Sequence, residues 1–79
     1  MKTRLILEMA KDRGFKVQVL APSEYQIEGK FHLVQFFDDR GKAICVEVKS
    51  KDSPEEEGLY CKSLQTVELF LGCQWGPSK

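Results

Sequence analysis

Long apolar runs are missing from this 79-residue chain, and neither sign of charge is in excess. No stretch approaches the roughly eighteen apolar residues that a membrane helix needs, so we expect no membrane partner. The segment Met1–Leu7 resembles the charged start of a signal peptide, but Glu8 ends its apolar run, and we expect no export signal. Twelve Lys and Arg balance twelve Asp and Glu, which disfavours binding to the phosphate backbone of a nucleic acid.

Histidine and cysteine are scarce and scattered. His32 is the only histidine, and the three cysteines, Cys45, Cys61 and Cys73, stand far apart. Zinc ligands usually come in pairs at roughly two-to-four-residue spacing, and secreted disulfide scaffolds have dense, evenly numbered cysteines. The sequence therefore predicts reduced thiols, a cytoplasmic protein, and no metal or other cofactor.

Acidic residues and glycines form no recognisable catalytic motif. Asp38 and Asp39 are adjacent, as turn-forming residues are, whereas the members of an acid/base pair usually come from separate elements. The run Glu55–Glu57 is typical of a solvated helix start. The six glycines are dispersed, so no phosphate-binding loop is present. We expect a protein that is not an enzyme.

What the chain does contain is the composition of an ordinary globular domain, with 42% hydrophobic and 30% charged residues. Its length predicts one domain over residues 1–79. A domain of this size buries only about 60% of the surface that its unfolded chain exposes, so its stability is expected to be marginal. Self-association or a partner would supplement that stability.

The first half of the sequence predicts a helix followed by strands. Apolar residues recur with helical spacing over residues 3–13, with Thr3 as the predicted N-cap and Gly14 as the residue that ends the helix. Residues 15–20 alternate with period two, as in a strand, and residues 21–24 predict a β-turn containing Pro22. The alternation resumes over residues 25–27, and Gly29 indicates either a turn between two strands or a bulge in one.

A hairpin is predicted from residues 31–37 and 42–49 around the turn at residues 38–41. A four-residue loop places Phe37 opposite Lys42, and a three-residue loop places Asp38 there instead, which exchanges the two faces of the first strand. With the four-residue loop, the core face carries Phe31, Leu33, Phe37, Ile44, Val46 and Val48. The opposite face then carries Val34, Phe36, Ala43 and Cys45.

The C-terminal part of the chain predicts a second helix. Residues 53–56 resemble a capping box, and Ser63 offers a later start. The apolar face of this helix is expected to contain Tyr60, Leu64, Val67 and Leu71, with an end at Gly72 or Gly76. Trp75 is expected to fold back on the core. The fold class is therefore α+β, with two layers: an N-terminal helix, a three- or four-stranded antiparallel meander, and a C-terminal helix.

If both helices cover one face of the sheet, the other face meets water or a partner. We expect a partner-binding surface of Val34, Phe36, Ala43 and Cys45, because these residues are more apolar than a solvated face requires. The alternative is that the proline turn and Trp75 cover it. The expected function is that of a non-enzymatic interaction or regulatory protein, binding another protein or itself as a homodimer, of the kind encoded by small accessory genes of bacteria or phages.

A nucleic-acid-binding module is the second hypothesis. Basic residues gather on and just after the first helix, where they would form a modest positive patch. They are Lys2, Arg4, Lys11, Arg13 and Lys16. Glu8 and Asp12 lie among them, and charged side chains on an exposed helix are common, so the interaction protein is the leading hypothesis.

Overall fold

The computed structural model describes residues 1–72. Its elements are α1 (Thr3–Asp12), β1 (Lys16–Ala21), β2 (Glu24–Glu28), β3 (His32–Asp39), β4 (Lys42–Ser50), β5 (Leu59–Tyr60) and α2 (Leu64–Gly72). The strands form one sheet in the order β1-β2-β3-β4-β5, with antiparallel neighbours. The predicted α+β meander between two helices is confirmed. The predicted count of three or four strands is slightly low, because the two-residue β5 is too short to show a period.

Helix α1 begins one residue earlier than a Thr3 N-cap would place it. Lys2 is the N-cap and makes no side-chain capping bond, whereas Thr3 is buried in the first turn and its hydroxyl donates to Asp38 Oδ1 at 2.5 Å. The predicted role of Thr3 is therefore wrong. The predicted helix end is confirmed, because Gly14 has a φ of 79° and its N–H bonds to the Lys11 carbonyl, while the Phe15 N–H bonds to that of Ala10.

Tight turns join the first three strands. The β1–β2 turn passes through Pro22 and Ser23, as predicted, and Ser23 takes a φ of 67°. Gly29 separates β2 from β3, so the two-strand alternative is the observed one, and the Gly29 N–H bonds to the His32 carbonyl. A Cβ on Gly29 would lie 2.9 Å from Leu71 Cδ2, which shows how closely α2 approaches this turn.

The β3–β4 hairpin has a shorter loop than either predicted loop. Asp39 pairs with Lys42, and only Arg40 and Gly41 turn the chain, with φ of 55° and 88°. Positive φ at both positions is the pattern of a type I′ turn. Asp38 belongs to the strand because its N–H bonds to the Ser23 carbonyl. The four- and three-residue loops are therefore both wrong.

The hairpin turn gives a testable stability prediction. Arg40 holds a left-handed conformation that disfavours side chains with a Cβ, and its ion pair with Asp39, at 3.9 Å between exposed groups, adds little. Arg40→Asn is expected to raise the free energy of unfolding by about 0.5–1 kcal/mol, because asparagine tolerates this conformation. Thermal or urea unfolding checks it. Arg40→Ala, which keeps the strain, is the control and is expected to give no gain.

The β3–β4 register, with one irregularity in it, places the side chains of these two strands in the core or on the surface. Val34 and Phe36 face the helices, and a bulge at Cys45 puts Ala43, Val46 and Val48 on the same side. Both helices pack on this face. They contribute Ile6, Met9, Ala10, Val67 and Leu71 to a cluster shared with Ile27, Val34, Phe36, Ala43, Val46, Val48 and Cys61.

This arrangement corrects the predicted faces of the sheet. Val34, Phe36 and Ala43, expected to meet a partner, are buried under the helices, and Phe36 is only 1% exposed. Of the predicted core face, Val46 and Val48 are buried as expected. Phe31, Phe37 and Ile44 are exposed, and Leu33 is half-buried. Phe37 and Ile44 share a face, as the four-residue loop predicted, but the extra residue at the Cys45 bulge puts Val46 and Val48 on the other face, and that other face is the one that the helices cover.

The segment between β4 and α2 does not contain the helix that was predicted to start at residue 53. Residues 51–58 form an irregular loop with a turn at Pro54 and Glu55, and the short β5 then pairs with β4. Helix α2 starts after Ser63, the predicted later start, whose Oγ accepts the Thr66 N–H at 3.3 Å. Val67 and Leu71 are buried as predicted, whereas Tyr60 lies in β5 and is exposed. Cys73, Trp75 and Gly76 lie outside the described residues.

Candidate protein-interaction surface

The sheet face opposite the helices, here called the helix-free face, is built from alternate positions of four long strands. Its side chains follow from the strand register and from the buried partners on the other side. They are Lys16, Gln18, Glu24, Gln26, Glu28, Leu33, Gln35, Phe37, Ile44, Glu47 and Lys49. No described residue of either helix packs on this face.

A glutamine ladder crosses the middle of the helix-free face. Gln35 on β3, Gln26 on β2 and Gln18 on β1 lie side by side in the register. Gln35 Nε2 donates to Gln26 Oε1 at 2.7 Å, and Gln26 Nε2 donates to Gln18 Oε1 at 3.3 Å. The three side-chain amides are therefore linked in one chain of hydrogen bonds, which ends on the outermost strand at the amide nitrogen of Gln18.

An apolar corner formed by Phe37 and Ile44 lies at one end of this face. The two residues are direct partners across β3 and β4 and are 45% and 42% exposed. Next to Ile44 in the chain is Cys45, an exposed free cysteine in the β4 bulge with a φ of 52°. Of the four residues predicted to bind a partner, only Cys45 is on the surface. The sequence pattern missed Phe37 and Ile44 because it assigned them to the core.

An ion pair occupies the end of the helix-free face away from the apolar corner. Lys51 Nζ lies 2.8 Å from Glu28 Oε2 and also donates to the Gly29 carbonyl at 3.1 Å. The hydrogen bond that Lys51 Nζ donates to the Glu28 carboxylate, together with the positive charge of Lys51, holds the pKa of Glu28 below its ordinary value of 4.5, with a smaller contribution from Lys16. Together, these contacts tie the start of the loop after β4 to the end of β2.

The ion pair gives a pH-dependent prediction. Because the pKa of Glu28 is lower in the folded chain, the pair stabilises the fold above the unfolded-state pKa, and this contribution is lost as the pH falls through the lowered value. Lys51→Met is expected to return the pKa of Glu28 towards its ordinary value, measured by NMR titration of its carboxyl carbon. Lys49→Met is the matched control. Equal Glu28 titration in wild type and Lys51→Met would contradict the prediction.

The outer edge of β1 is unpaired among the described residues and carries apolar side chains. Val17, Val19 and Leu20 are all exposed, and Val19 is 63% exposed. Towards the other side of the sheet, the outer backbone groups of β4 are paired by Met1 and by the segment of β5. The Ala43 N–H bonds to the Met1 carbonyl at 2.8 Å, and the Cys61 N–H bonds to the Val46 carbonyl at 2.8 Å. An uncovered strand with apolar side chains is a site for pairing with another strand.

The five basic residues of the nucleic-acid hypothesis do not share one free surface. Arg4 lies 3.9 Å from Glu8, and Arg13 lies 3.1 Å from Glu68 on α2. Lys16 belongs to the helix-free face beside Glu28, on the other side of the sheet from α1. The remaining two are Lys2, at the helix start, and Lys11. The structure divides the patch and pairs two of its charges with carboxylates.

A cavity of about 190 Å³ lies between the loop after β4 and helix α2. Its lining includes His32, Ser50, Glu56, Glu57 and Phe70, which come from distant parts of the sequence. His32 packs edge-on against Phe70 with ring centroids 5.2 Å apart. Within residues 1–72, no group of three or more His, Cys, Asp or Glu side chains is arranged to hold a metal ion.

The two described cysteines differ in their surroundings. Cys61 is buried in the core, and desolvation raises the pKa of its thiol, which lowers its reactivity. Cys45, in the β4 bulge, is exposed.

Comparison with known proteins gives no match: no protein-family model, no curated protein and no solved structure is significantly similar to the chain. In the described part of the chain, neither helix has the length and apolar character to cross a membrane.

Proposed function

We propose that this chain is a small, non-enzymatic interaction protein that binds through the helix-free face of its sheet. The observation that supports this proposal is the apolar corner of Phe37 and Ile44, exposed on a face that both helices leave uncovered. The partner is another protein or a second copy of the chain. The cytoplasm is the proposed location, and a free surface thiol at Cys45 suits a reducing compartment.

The composition of the helix-free face suits a binding surface. Aromatic side chains are enriched at the centres of protein interfaces, where they contribute most of the binding energy, and polar groups surround them. Here Phe37 and its neighbour Ile44 provide the apolar part, and the glutamine ladder beside them provides donors and acceptors that are already aligned. Because the ladder orders these amides before binding, little side-chain entropy is lost when a partner docks.

Site-specific crosslinking in the native host tests the proposal. A photoreactive phenylalanine analogue at Phe37 is expected to give a discrete covalent adduct with a protein partner or with a second copy. The same analogue at Leu5, which is 40% exposed on α1, is the matched control for exposure and is expected to give none. Absence of adducts from both positions, or equal labelling from both, would overturn the proposal.

Nucleic-acid binding, the second hypothesis from the sequence, makes a different prediction. It requires affinity for generic duplex DNA or RNA that falls steeply with salt. Since Arg4 and Arg13 already face Glu8 and Glu68, we expect no such binding even at low ionic strength. A fluorescence-anisotropy titration at two salt concentrations distinguishes the two functions.

A further inference from the structure

The β1 edge and the glutamine ladder meet at Gln18. Gln18 Oε1 accepts from Gln26, and among the described residues no protein group accepts from Gln18 Nε2. The same strand carries Val19, which is 63% exposed, and its outer backbone groups have no partner in residues 1–72. A strand added here would continue both the backbone hydrogen bonding and the ladder.

We propose that two copies of this chain pair antiparallel through β1, about a two-fold axis that passes between their Gln18 residues. The proposal rests on the proposed function, since it names a second copy as the partner that joins the sheet. The two five-stranded sheets become one continuous sheet, and each glutamine ladder continues into the other.

The pattern of β1 is self-complementary in this register. In an antiparallel pair, residues directly opposite each other point to the same face, so a residue of the helix-free face must oppose another of that face. With Gln18 opposite Gln18 of the second copy, Val17 lies opposite the second copy's Val19. The glutamines meet on the helix-free face, and the valines meet on the helix side, where both are exposed in the single chain.

Charges also suit this register. Lys16, the only charged residue of β1, lies opposite Leu20 of the second copy, so no like charges face each other directly. A register centred on Val19 instead places Gln18 opposite Leu20 and ends the ladder there. The bulge after Val19 and Pro22 beyond it confine the pairing to residues 16–20.

The pairing has a consequence for the helix-free face. A two-fold axis perpendicular to the sheet keeps both helix layers on one side and both helix-free faces on the other. Two apolar corners of Phe37 and Ile44 would then be presented on one extended surface. Because the contact is short, it lies at the small end of specific interfaces, below about 1,200 Å² of buried surface, and we expect a dimer that dissociates on dilution.

Charged residues introduced at Gln18 test the register of the proposed pairing. Sedimentation of the full chain over a concentration series is expected to show reversible dimerisation. Gln18→Glu and Gln18→Lys, each alone, place like charges on the axis and are expected to weaken the dimer at least about tenfold, whereas an equimolar mixture is expected to form a heterodimer. A wild type that stays monomeric at millimolar concentration, or two variants that dimerise like wild type, would overturn the proposal.

A matched pair of edge variants tests the location. Val19 on β1 and Leu59 on β5 are both 63% exposed, so lysine at either position is expected to leave the fold intact, which circular dichroism checks. Val19→Lys is expected to abolish the dimer and Leu59→Lys to leave it unchanged. The reverse pattern would assign the contact to β5 and overturn the proposal.

The two proposals fail separately. A monomeric wild type whose Phe37 analogue still crosslinks to another protein would refute the dimer and leave the proposed function standing. A Gln18-dependent dimer without any Phe37 adduct would refute the role of the apolar corner and leave the β1 pairing standing.

Discussion

Phe36→Ala is expected to lower the free energy of unfolding by about 3–5 kcal/mol, whereas Phe37→Ala is expected to cost about 1 kcal/mol or less. The two phenylalanines are neighbours in β3, yet Phe36 is 1% exposed and its ring stacks on Tyr25 at 5.5 Å, while Phe37 lies on the helix-free face. Removing the Phe36 ring leaves a cavity between the sheet and the helices. Removing the Phe37 ring leaves no enclosed space.

Urea unfolding followed by circular dichroism measures both changes. A domain of this length has a modest total stability, so Phe36→Ala is expected to leave much of the chain unfolded at 25 °C. Phe36→Leu, which keeps most of the volume, is the graded variant and is expected to cost less than Phe36→Ala. Equal costs at Phe36 and Phe37, or a larger cost at Phe37, would mean that the register of the β3–β4 hairpin is wrong.

Gly58→Ala is expected to lower the free energy of unfolding by about 1–3 kcal/mol and to release β5 from the sheet. A Cβ at this position would collide with the Val48 carbonyl oxygen and would approach the Glu47 side chain to 2.9 Å. The Gly58 N–H also donates a hydrogen bond to Glu47 Oε2 at 3.0 Å, and this bond holds the backbone of Gly58 close to β4. Relief of the collision must move the chain away from β4 and break this bond.

Hydrogen exchange detects the release of β5. The Cys61 N–H bonds to the Val46 carbonyl at 2.8 Å only while β5 lies against β4, so its protection is expected to fall in Gly58→Ala. Glu57→Ala is the control, because Glu57 is exposed in the same segment. Unchanged protection at Cys61 together with wild-type stability would contradict the close approach at Gly58.

Periodicity in the sequence was enough to predict the main elements. The apolar stripe that ends at Gly14 predicted α1, alternation predicted β1, and turn-forming residues predicted the turn at Pro22 and the hairpin of β3 and β4. Ser63 marked the start of α2 because its hydroxyl caps the Thr66 amide. These features depend on residues close in the chain, so local sequence carries the information.

Contacts between distant residues account for what could not be predicted. Asp38 was assigned to the turn because aspartate is common there. In the fold, the Thr3 hydroxyl and the Ser23 carbonyl hold Asp38 in β3, and the turn shrinks to Arg40 and Gly41. The segment around Glu56 resembled a helix start, yet Gly58 and its approach to β4 lead it into a strand.

The candidate surface likewise depends on contacts between residues that are distant in the sequence. Gln18, Gln26 and Gln35 lie on three different strands, and nothing in their spacing shows that they form one ladder. Exposure of Phe37 and Ile44 depends on the hairpin register together with the bulge at Cys45. The basic residues near α1 looked like one patch in sequence, whereas strand direction places Lys16 on the other side of the sheet.

By itself, the sequence determined the α+β class and the order of helices and long strands, because local periodicity depends on neighbours in the chain. Only the tertiary structure decided which side of each strand is buried, which edge of the sheet is open and which polar side chains meet. The physical reason is that side chains in a strand alternate with period two. A single extra residue in β4, the bulge at Cys45, puts Val46 and Val48 in the core with Phe36 and leaves Ile44 on the surface with Phe37.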